Sequence, residues 1–377
     1  MKIGVPREVT PEERRFALVP DAAKRLVADG NEVWIETAGA ATPDFADAEY
    51  ASVGAKIADS AAVLWGVSEL VVKIQPPTAA EVELAREGSI LVAILQPFQH
   101  GEIVKRLAAR GVTSFSLDLL PRITRAQSMD VLSSMSTIAG YKGVLLAAST
   151  LPKMVPLLMT AAGTLKAARF LILGVGVAGL QAIATAKRLG AVVEAFDIRP
   201  AVKEQVESLG ARFVAHEAIQ SGGETKGGYA TELTPEQQSR QREALSKHIA
   251  EADAVICSAL VPGRRAPVLL SEEQVSRMRP GSVVVDLAAD QGGNCALTKP
   301  GETVDHHGVK VLGPLNVPSS IPLHASQMLA RNFQNFLLHL LKKGEPQIDT
   351  ADEVTAGALV TRGGELVHPA VRSALGS

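Results

Sequence analysis

The segment from Arg169 to Pro200 constrains the fold of this chain more than any other. It opens with an apolar run, Arg169–Leu173, of the kind that forms a strand buried on both faces of a parallel sheet. A G-x-G-x-x-G loop follows directly, then an amphipathic helix that ends at Gly190, and then a second apolar strand, Val192–Phe196, which leads into Asp197. A strand, a glycine loop, a helix and a strand in this order predict a Rossmann-type βαβ unit.

Each glycine of this loop has a physical purpose in binding a dinucleotide. Gly174 allows a tight turn, Gly176 lets a pyrophosphate approach the backbone, and Gly179 lets the helix pack closely on the strand. Val177 and Ala178 begin the helix, whose unpaired N–H groups and positive end favour phosphate. The alternative for these residues is a glycine-rich turn that binds no nucleotide.

The residues at the end of the second strand predict the adenosine end of the site. The Asp197 carboxylate can accept hydrogen bonds from the ribose hydroxyls and repels a 2′-phosphate, which favours NAD(H) over NADP(H). Ile198 and Arg199 follow it. Arg199 could favour a phosphate, but we expect Asp197 to dominate. Ala259 and Leu260 follow a later strand, where we expect them to line the same crevice.

Length and composition favour two α/β domains. The chain has 377 residues with few aromatic side chains, which suits parallel sheets filled by small and branched residues. We expect two Rossmann-like lobes, each a parallel sheet flanked by helices, with a nucleotide cleft between them. The first lobe comprises residues 1–136 and is completed by residues 327–377 with an apolar helix, Ala325–Leu341; the NAD(H)-binding lobe is residues 137–326.

The charge and the cysteines exclude several classes of partner. A net charge of −2 gives no reason to expect nucleic acid or an anionic membrane surface as a ligand. Cys257 and Cys295 lack metal-type spacing, so we expect reduced thiols, no metal site and a cytoplasmic location. The longest apolar run, residues 144–159, reads as a helix bent by prolines and falls short of the roughly 18 to 20 residues that span a bilayer. We therefore expect no direct membrane span, and any membrane role to come through a partner.

Two polar segments are candidates for function. Residues 119–141 are dense in polar groups, and a helix from near Gln127 would place Gln127, Asp130 and Ser134 on one face. A solvated interdomain helix is the alternative there. Residues 220–233 form a glycine-rich insert around Tyr229, which predicts either a surface loop or a lid that closes over bound nucleotide.

The chain resembles the NAD(H)-binding component (domain I, the first portion of the alpha subunit) of proton-translocating NAD(P)+ transhydrogenase. The resemblance extends over essentially the whole length. Its carriers are the runs PRITRAQSMDVLSS from Pro121, GVGVAGLQAIATAKRLGA from Gly174, the GGYATE insert, LVPGRRAPVL, VVDLAADQGGNC and NVPSS.

The resemblance implies direct hydride transfer between NAD(H) on this component and NADP(H) on a separate component. The resemblance implies that this transfer is coupled to proton movement through a membrane-spanning component, and that partner subunits hold this chain at the inner face of the membrane. It also implies that this component forms a homodimer. It also implies that Gln127 contacts the ring-proximal ribose, and that Arg122, Asp130 and Ser133 hold the carboxamide and orient the nicotinamide. Asp197 would bind the adenosine ribose, and Tyr229 would ride on a mobile loop.

Two alternatives remain at this point. The chain also resembles alanine dehydrogenase, in which an Arg and a Lys, matching Arg15 and Lys73, hold a keto-acid carboxylate beside a catalytic His. This chain has Gln96 at the histidine position, and Gln cannot donate the proton that a developing alkoxide requires. We therefore expect Arg15 and Lys73 to hold the first lobe together. The other alternative is a non-catalytic NAD(H) sensor, which would not need the Arg122–Ser133 cluster.

Overall fold

The computed structural model describes residues 1–37, 45–214, 234–261 and 265–376, without the side chains of residues 235 and 237–242. The chain divides into two compact units. Unit 1 comprises Met1–Met135 and Ser319–Ser377, and unit 2 comprises Ser136–Pro318. The first division lies one residue before the expected position, and the second lies just ahead of the C-terminal apolar helix.

The helices and strands alternate along most of the chain. The strands are β1 (Lys2–Val5), β2 (Glu32–Glu36), β3 (Lys56–Ala58), β4 (Leu70–Val72), β5 (Ile90–Ala93), β6 (Thr113–Ser116), β7 (Leu158–Thr160), β8 (Gly163–Leu165), β9 (Arg169–Leu173), β10 (Val192–Phe196), β11 (Arg212–Phe213), β12 (Ala254–Cys257), β13 (Val283–Asp286), β14 (Thr303–His306), β15 (Val309–Leu312), β16 (Leu341–Lys342), β17 (Glu345–Pro346), β18 (Leu359–Arg362) and β19 (Glu365–Leu366). The α-helices are α1 (Pro20–Ala28), α2 (Asp47–Ser52), α3 (Ala61–Val67), α4 (Ala79–Leu84), α5 (Gly101–Ala109), α6 (Val131–Thr150), α7 (Val177–Arg188), α8 (Lys203–Ser208), α9 (Pro235–Glu251), α10 (Glu272–Ser276), α11 (Pro322–Leu340), α12 (Glu353–Ala358) and α13 (Pro369–Leu375).

Unit 1 is built on one sheet with the order β19-β18-β6-β5-β4-β1-β2-β3. Strands β1 to β6 pair in parallel, and β18 joins β6 antiparallel from the end of the chain. The order of the parallel strands reverses between β1 and β4, as in a doubly wound fold. The carboxyl ends of these two strands therefore form the switch point of unit 1.

Helix α11 completes the core of unit 1. It contributes Leu329, Phe333 and Phe336, all fully buried, and the Phe336 ring meets Phe115 of β6 edge-on at 5.6 Å between centroids. The sequence analysis expected this helix in the first lobe, and its buried residues lie in the core of unit 1. Burial of the apolar face explains why so late a segment returns to the first sheet.

Unit 2 repeats the doubly wound order around the predicted βαβ unit. Its sheet runs β11-β10-β9-β12-β13-β15-β14, with every pair parallel except β14 with β15. Strand β9 is central, and its residues Phe170–Leu173 are almost completely buried, as the continuous apolar run predicts. The switch point lies between β9 and β12. The predicted α/β class with two Rossmann-like lobes is thus confirmed.

The long helix before the nucleotide lobe is the main correction to the sequence-based prediction. The structure has α6 at Val131–Thr150, and residues 144–159 do not form one helix. Helix α6 ends before Leu151-Pro152 because the residue preceding a proline is disfavoured in the α conformation. The following residues form the β7–β8 hairpin, which no sequence pattern indicated.

Helix α6 also bears on the membrane expectation. Among the described residues, it is the one helix long and apolar enough to cross a bilayer by length and composition, with 39% of its most apolar window buried inside the structure. Val144 and Ala147 of this helix are fully buried in the core of unit 2. The expectation that the longest apolar run lies at residues 144–159 and is too short to span a bilayer was therefore wrong in position and length.

Candidate functional site

The glycine loop has the close packing that a dinucleotide-binding turn requires. Gly174 has φ +90°, and a Cβ added there would lie 2.8 Å from the backbone N of Ala259. A Cβ added to Gly179 would lie 2.0 Å from the carbonyl oxygen of Gly174. Both positions therefore exclude any side chain, and α7 starts directly against the end of β9.

Gly176 differs from its two neighbours in the motif. A Cβ added to Gly176 meets no atom within 4 Å, and its φ of −81° suits any residue. Gly176 and Val177 are exposed, while Ala178 is half-buried. Open space thus lies at the beginning of α7, where the first N–H groups of a helix have no intrahelical acceptor. Such a cradle fits a pyrophosphate, which packs against backbone rather than side chains.

Helix α6 packs against the start of α7 at Ala178 and so supports the glycine loop, a contribution that the sequence analysis missed. A Cβ added to Gly140 would lie 2.1 Å from the carbonyl oxygen of Ala178. A Cβ added to Gly143, one turn later, would approach only the Leu287 side chain, whose Cδ atoms lie 3.2 Å away. Glycines inside a helix are unfavourable by about 1 kcal/mol, so the pair in IAGYKG was the available signal of close packing.

The loop after β12 is fixed to the glycine turn by side chains. The Ser258 hydroxyl donates to the Gly174 carbonyl at 2.9 Å. The buried Asn294 amide accepts from Ala259 N at 3.0 Å and donates to Ala259 O at 2.8 Å. Asn294 N in turn donates to the fully buried Asp286 carboxylate at 2.7 Å. Ala259 is therefore held rigidly beside Gly174, and Leu260 beyond it is partly exposed.

Asp197 occupies the predicted place at the end of β10. Its Oδ2 accepts from Val175 N at 2.7 Å, which ties the strand end to the glycine loop. Its carboxylate also forms an ion pair with Arg199, whose Nη2 lies 2.9 Å from Oδ2. Ile198 between them is half-buried. Tyr229 lies outside the described residues.

The structure brings two of the four predicted nicotinamide residues into contact in unit 1. Asp130 accepts from Ser133 N at 2.9 Å through Oδ1 and from Ser133 Oγ at 2.6 Å through Oδ2. This is the geometry of a helix N-cap, and it begins α6 at Val131 rather than near Gln127. Gln127 lies instead on the 3₁₀ turn Thr124–Met129, and the side chains of Gln127 and Arg122 are exposed. The expectation that Gln127, Asp130 and Ser134 share one face of a single helix was wrong, because the 3₁₀ turn and α6 are separate elements that meet at Asp130.

The C-terminal part of unit 1 holds the segment that carries Gln127. The amides of Asn332 and Asn335 both donate to Ser128 O, at 2.9 and 3.0 Å. Asp352 binds Arg125 at 2.6 Å and His339 at 3.1 Å. These contacts fix the backbone on both sides of Gln127. Sequence reasoning missed the two bonds to Ser128, since Asn332 and Asn335 lie more than 200 residues from Ser128 along the chain.

A buried network of charged side chains occupies the switch point of unit 1. The Lys73 ammonium is fully buried between Glu8, at 3.2 Å, and Glu81, at 3.0 Å. Arg15 donates to both oxygens of Glu13, with its Nε 2.8 Å from Oε1 and its Nη2 2.5 Å from Oε2. Both cations therefore have carboxylate partners within unit 1, as expected of residues that hold this lobe together.

The pKa values of Glu8 and Glu13 in this network shift in opposite directions, although burial acts to raise both. Burial raises the pKa of Glu8 above its ordinary value, and the charge of Lys73 offsets only part of that rise. Burial also acts to raise the pKa of Glu13, but the hydrogen bonds and charge of Arg15 outweigh it and lower the pKa to about 2. Glu13 is thus an ionised partner of Arg15 near neutral pH.

Comparison with known proteins covers both units. Residues 4–139 match the family described as the alanine dehydrogenase/PNT N-terminal domain, and residues 143–369 match the corresponding C-terminal domain. The chain belongs to the alanine dehydrogenase/PNT family.

Within this family the chain is similar to transhydrogenase alpha subunits and to alanine dehydrogenases. It is 46% identical to the Rhodospirillum rubrum protein named as the first part of NAD(P) transhydrogenase subunit alpha, over 98% of this chain and 99% of that one. The solved transhydrogenase structure from Sinorhizobium meliloti superposes with a TM-score of 0.86 at 39% identity, over 98% of this chain and all of that one. An L-alanine dehydrogenase structure superposes with a TM-score of 0.84 at 31% identity, over 100% and 99% of the two chains.

These comparisons confirm the resemblance stated from the sequence. The identity to transhydrogenase alpha subunits over nearly the full length makes this chain a transhydrogenase enzyme component. The fold does not distinguish transhydrogenase from alanine dehydrogenase, since the chain superposes on both structures almost equally well. Discrimination between the two activities within the alanine dehydrogenase/PNT family therefore depends on side chains.

Proposed function

We propose that this chain is the NAD(H)-binding component of a proton-translocating transhydrogenase. It would pass a hydride directly between NAD(H) bound here and NADP(H) on a partner component. The observation that carries the proposal is the loop at the end of β9, where Gly174 and Gly179 exclude side chains and Gly176 leaves open space at the start of α7. That shape accepts a pyrophosphate, and Asp197 stands where the adenosine ribose would follow.

We propose that four polar side chains of unit 1 orient the nicotinamide of NAD(H). When bound, NADH supplies a hydride from C4 of its nicotinamide, becoming NAD+ while NADP+ on the partner becomes NADPH. Because no proton is exchanged with either nucleotide, the protein needs donors and acceptors rather than a general acid. Asp130 and Ser133, already linked at 2.6 Å, together with Arg122 would hold the carboxamide, and Gln127 would contact the neighbouring ribose.

The side chains of unit 1 favour transhydrogenation over oxidation of an amino acid. Gln96 follows β5 at the position where alanine dehydrogenase has its histidine, and an amide has no proton to give at neutral pH. Arg15 and Lys73, the counterparts of the keto-acid ligands, are neutralised by Glu13, Glu8 and Glu81. A 2-oxo acid would have to displace buried carboxylates to bind there. A sensor without catalysis is the remaining alternative.

The partners follow from the same proposal. The Rhodospirillum rubrum relative is named as one part of a subunit, so we infer an NADP(H)-binding component and a membrane-spanning component as partners. This chain would then be cytoplasmic and held at the inner face of the membrane through them.

We infer a homodimer from the β7–β8 hairpin, which pairs with no other strand in the described part of the chain. Its Met159 is 81% exposed, and isolated hairpins are marginal in water.

Mixing the chain with an NADP(H)-binding partner tests the reaction. NADH and an oxidised NADP analogue with a distinct absorbance are added, and direct transfer is followed optically. The proposal predicts transfer only when both proteins are present. Oxidation of alanine with NAD+, or reduction of pyruvate plus ammonia with NADH, by the chain alone would indicate alanine dehydrogenase. Binding of NADH without either reaction would indicate a sensor.

Gly176→Ala tests the location of the pyrophosphate. The added methyl group meets no protein atom, so stability should stay within about 0.5 kcal/mol of the wild type. The same methyl group would lie where the phosphates approach, so the Kd for NADH should rise roughly tenfold or more. Titration calorimetry and thermal unfolding measure the two effects. Unchanged NADH affinity in a folded variant would place the phosphates elsewhere.

Met159→Asp tests the homodimer. A charge on the exposed hairpin should shift the chain from dimer to monomer in sedimentation experiments, because burying a carboxylate in an apolar interface is unfavourable. Val63→Asp, which adds the same charge at an exposed apolar residue of α3 outside the hairpin, is the matched control. A wild-type chain that sediments as a monomer would contradict the inference.

A further inference from the structure

The carboxylate of Asp197 has no acceptor position left for a ribose. Its Oδ1 accepts from Arg199 N and Arg199 Nε, both at 2.9 Å. Its Oδ2 accepts from Val175 N at 2.7 Å and Arg199 Nη2 at 2.9 Å. A carboxylate offers about four lone-pair positions, so these four donors saturate it.

Two of the four donors belong to the protein backbone and two to one side chain. The bonds from Val175 N and Arg199 N orient the carboxylate and do not depend on any side-chain rotamer. The bonds from Nε and Nη2 form the fork of a guanidinium on a carboxylate. Asp197 and Arg199 are only 7% and 13% exposed at their side chains, so water screens this pair weakly.

The guanidinium fork resembles the ligand expected at this place. The 2′- and 3′-hydroxyls of a ribose are two neighbouring donors, as Nε and Nη2 are, and both pairs need the two oxygens of one carboxylate. We propose that the Arg199 side chain is an internal competitor of the adenosine ribose, occupying the acceptor positions of Asp197 that a bound dinucleotide requires. This inference rests on the proposed function, since it assumes that NAD(H) binds at Asp197.

The consequence is a Kd for NAD(H) set partly by displacement of Arg199. The guanidinium also donates to Val175 O at 3.0 Å, so its withdrawal breaks this bond as well as the two to Asp197. Because the adenosine ribose is the same in NAD+ and NADH, the competition weakens both forms equally. It also makes Arg199 unavailable to a 2′-phosphate for as long as Asp197 holds it.

Replacement of Arg199 by methionine, which keeps much of its length but none of its donors, tests the proposal. Calorimetry would compare wild type and Arg199→Met with NADH, with 5′-AMP, and with 2′,3′-dideoxyadenosine 5′-monophosphate. We expect NADH and 5′-AMP to bind the variant roughly tenfold more tightly, because a charge-assisted fork no longer has to break. The dideoxy nucleotide, which has no ribose hydroxyls, should bind both proteins with similar affinity.

Two further variants sharpen the comparison. Arg199→Lys keeps the charge without the fork and should give a smaller gain. Arg188→Met, on the exposed end of α7, removes the same charge from unit 2 away from Asp197 and should change no Kd.

The outcomes separate this inference from the proposed function. Weaker binding of all three ligands by Arg199→Met would overturn the inference, because Arg199 would then contact the ligand or support the loop. An unchanged Kd for NADH, or equal gains for the dideoxy nucleotide, would overturn it as well. Failure of the wild-type chain to bind NADH at all would instead overturn the proposed function.

Discussion

Removing the Glu13 carboxylate should destabilise unit 1 by an amount that depends on pH. Glu13 is fully buried at its side chain and binds Arg15 through both oxygens. Its pKa falls from the ordinary 4.5 to about 2, since the bonds and charge of Arg15 outweigh the effect of burial. A tenfold change in acid dissociation is worth about 1.4 kcal/mol, so this fall corresponds to about 3 kcal/mol of stability.

The sign of the pH dependence follows from the lowered pKa. A carboxyl whose pKa is lower in the folded state stabilises the fold above its unfolded pKa of 4.5, and that contribution is lost as the pH falls towards 2. The amide that replaces the carboxyl in Glu13→Gln does not titrate. The variant should therefore be less stable by about 3 kcal/mol near neutral pH, and the difference should shrink steadily as the pH falls below about 4.5.

Tryptophan fluorescence makes this measurable for unit 1 alone. The chain has two tryptophans, Trp34 and Trp65, and both lie in unit 1. Urea unfolding followed by their emission would be repeated at about pH 7 and about pH 3, since the linkage predicts a clear loss between them. Glu12→Gln, an exposed neighbour of the same charge, is the matched control. A stability difference below about 1 kcal/mol at neutral pH, or one that is unchanged in acid, would refute the reasoning.

Three further predictions concern the nucleotide lobe and the polar segment. Gly140→Ala should weaken NADH binding roughly tenfold by pushing on Ala178, whereas Gly143→Ala, which meets only a flexible side-chain end, should not; calorimetry compares them. Asn294→Ala should also weaken NADH binding, since Ala259 loses both its hydrogen bonds to Asn294, and unchanged affinity would count against this support. Asp130→Ala should cost about 1 kcal/mol as a lost cap in thermal unfolding, and Asp130→Asn should restore stability. Hydride transfer that stays slow in Asp130→Asn would indicate a role beyond capping, and full recovery would indicate capping alone.

Much of unit 2 was predictable because its signals are local. The run Arg169–Leu173, the three glycines and Asp197 lie within 29 consecutive residues, and each has a backbone or burial requirement that only certain residues meet. The structure has β9 and β10 with the predicted bounds. The glycine pair in IAGYKG could signal close packing at Gly140, but no local pattern could show that Gly140 and Asn294 support the loop, because each acts on a backbone atom remote in sequence.

The structure of the polar segment, residues 119–141, was much less predictable than that of the nucleotide lobe. Its composition pointed to function, but composition could not tell a helix from a 3₁₀ turn followed by a cap. The 3₁₀ turn and α6 are separated at Asp130 because this side chain accepts from the backbone N–H of Ser133, in the first turn of α6, where N–H groups have no acceptor within the helix. Asn332, Asn335 and Asp352 then fix the turn from the far end of the chain.

Sequence alone therefore determined the repeated strand-and-helix class, the dinucleotide loop and the family, since each depends on residue types at short, regular spacing. Only the tertiary structure decided which oxygens of Asp197 are occupied, which carboxylates neutralise Arg15 and Lys73, and which glycine of the motif has space around it. Those features depend on distances between groups that the fold brings together, and a linear pattern does not contain such distances.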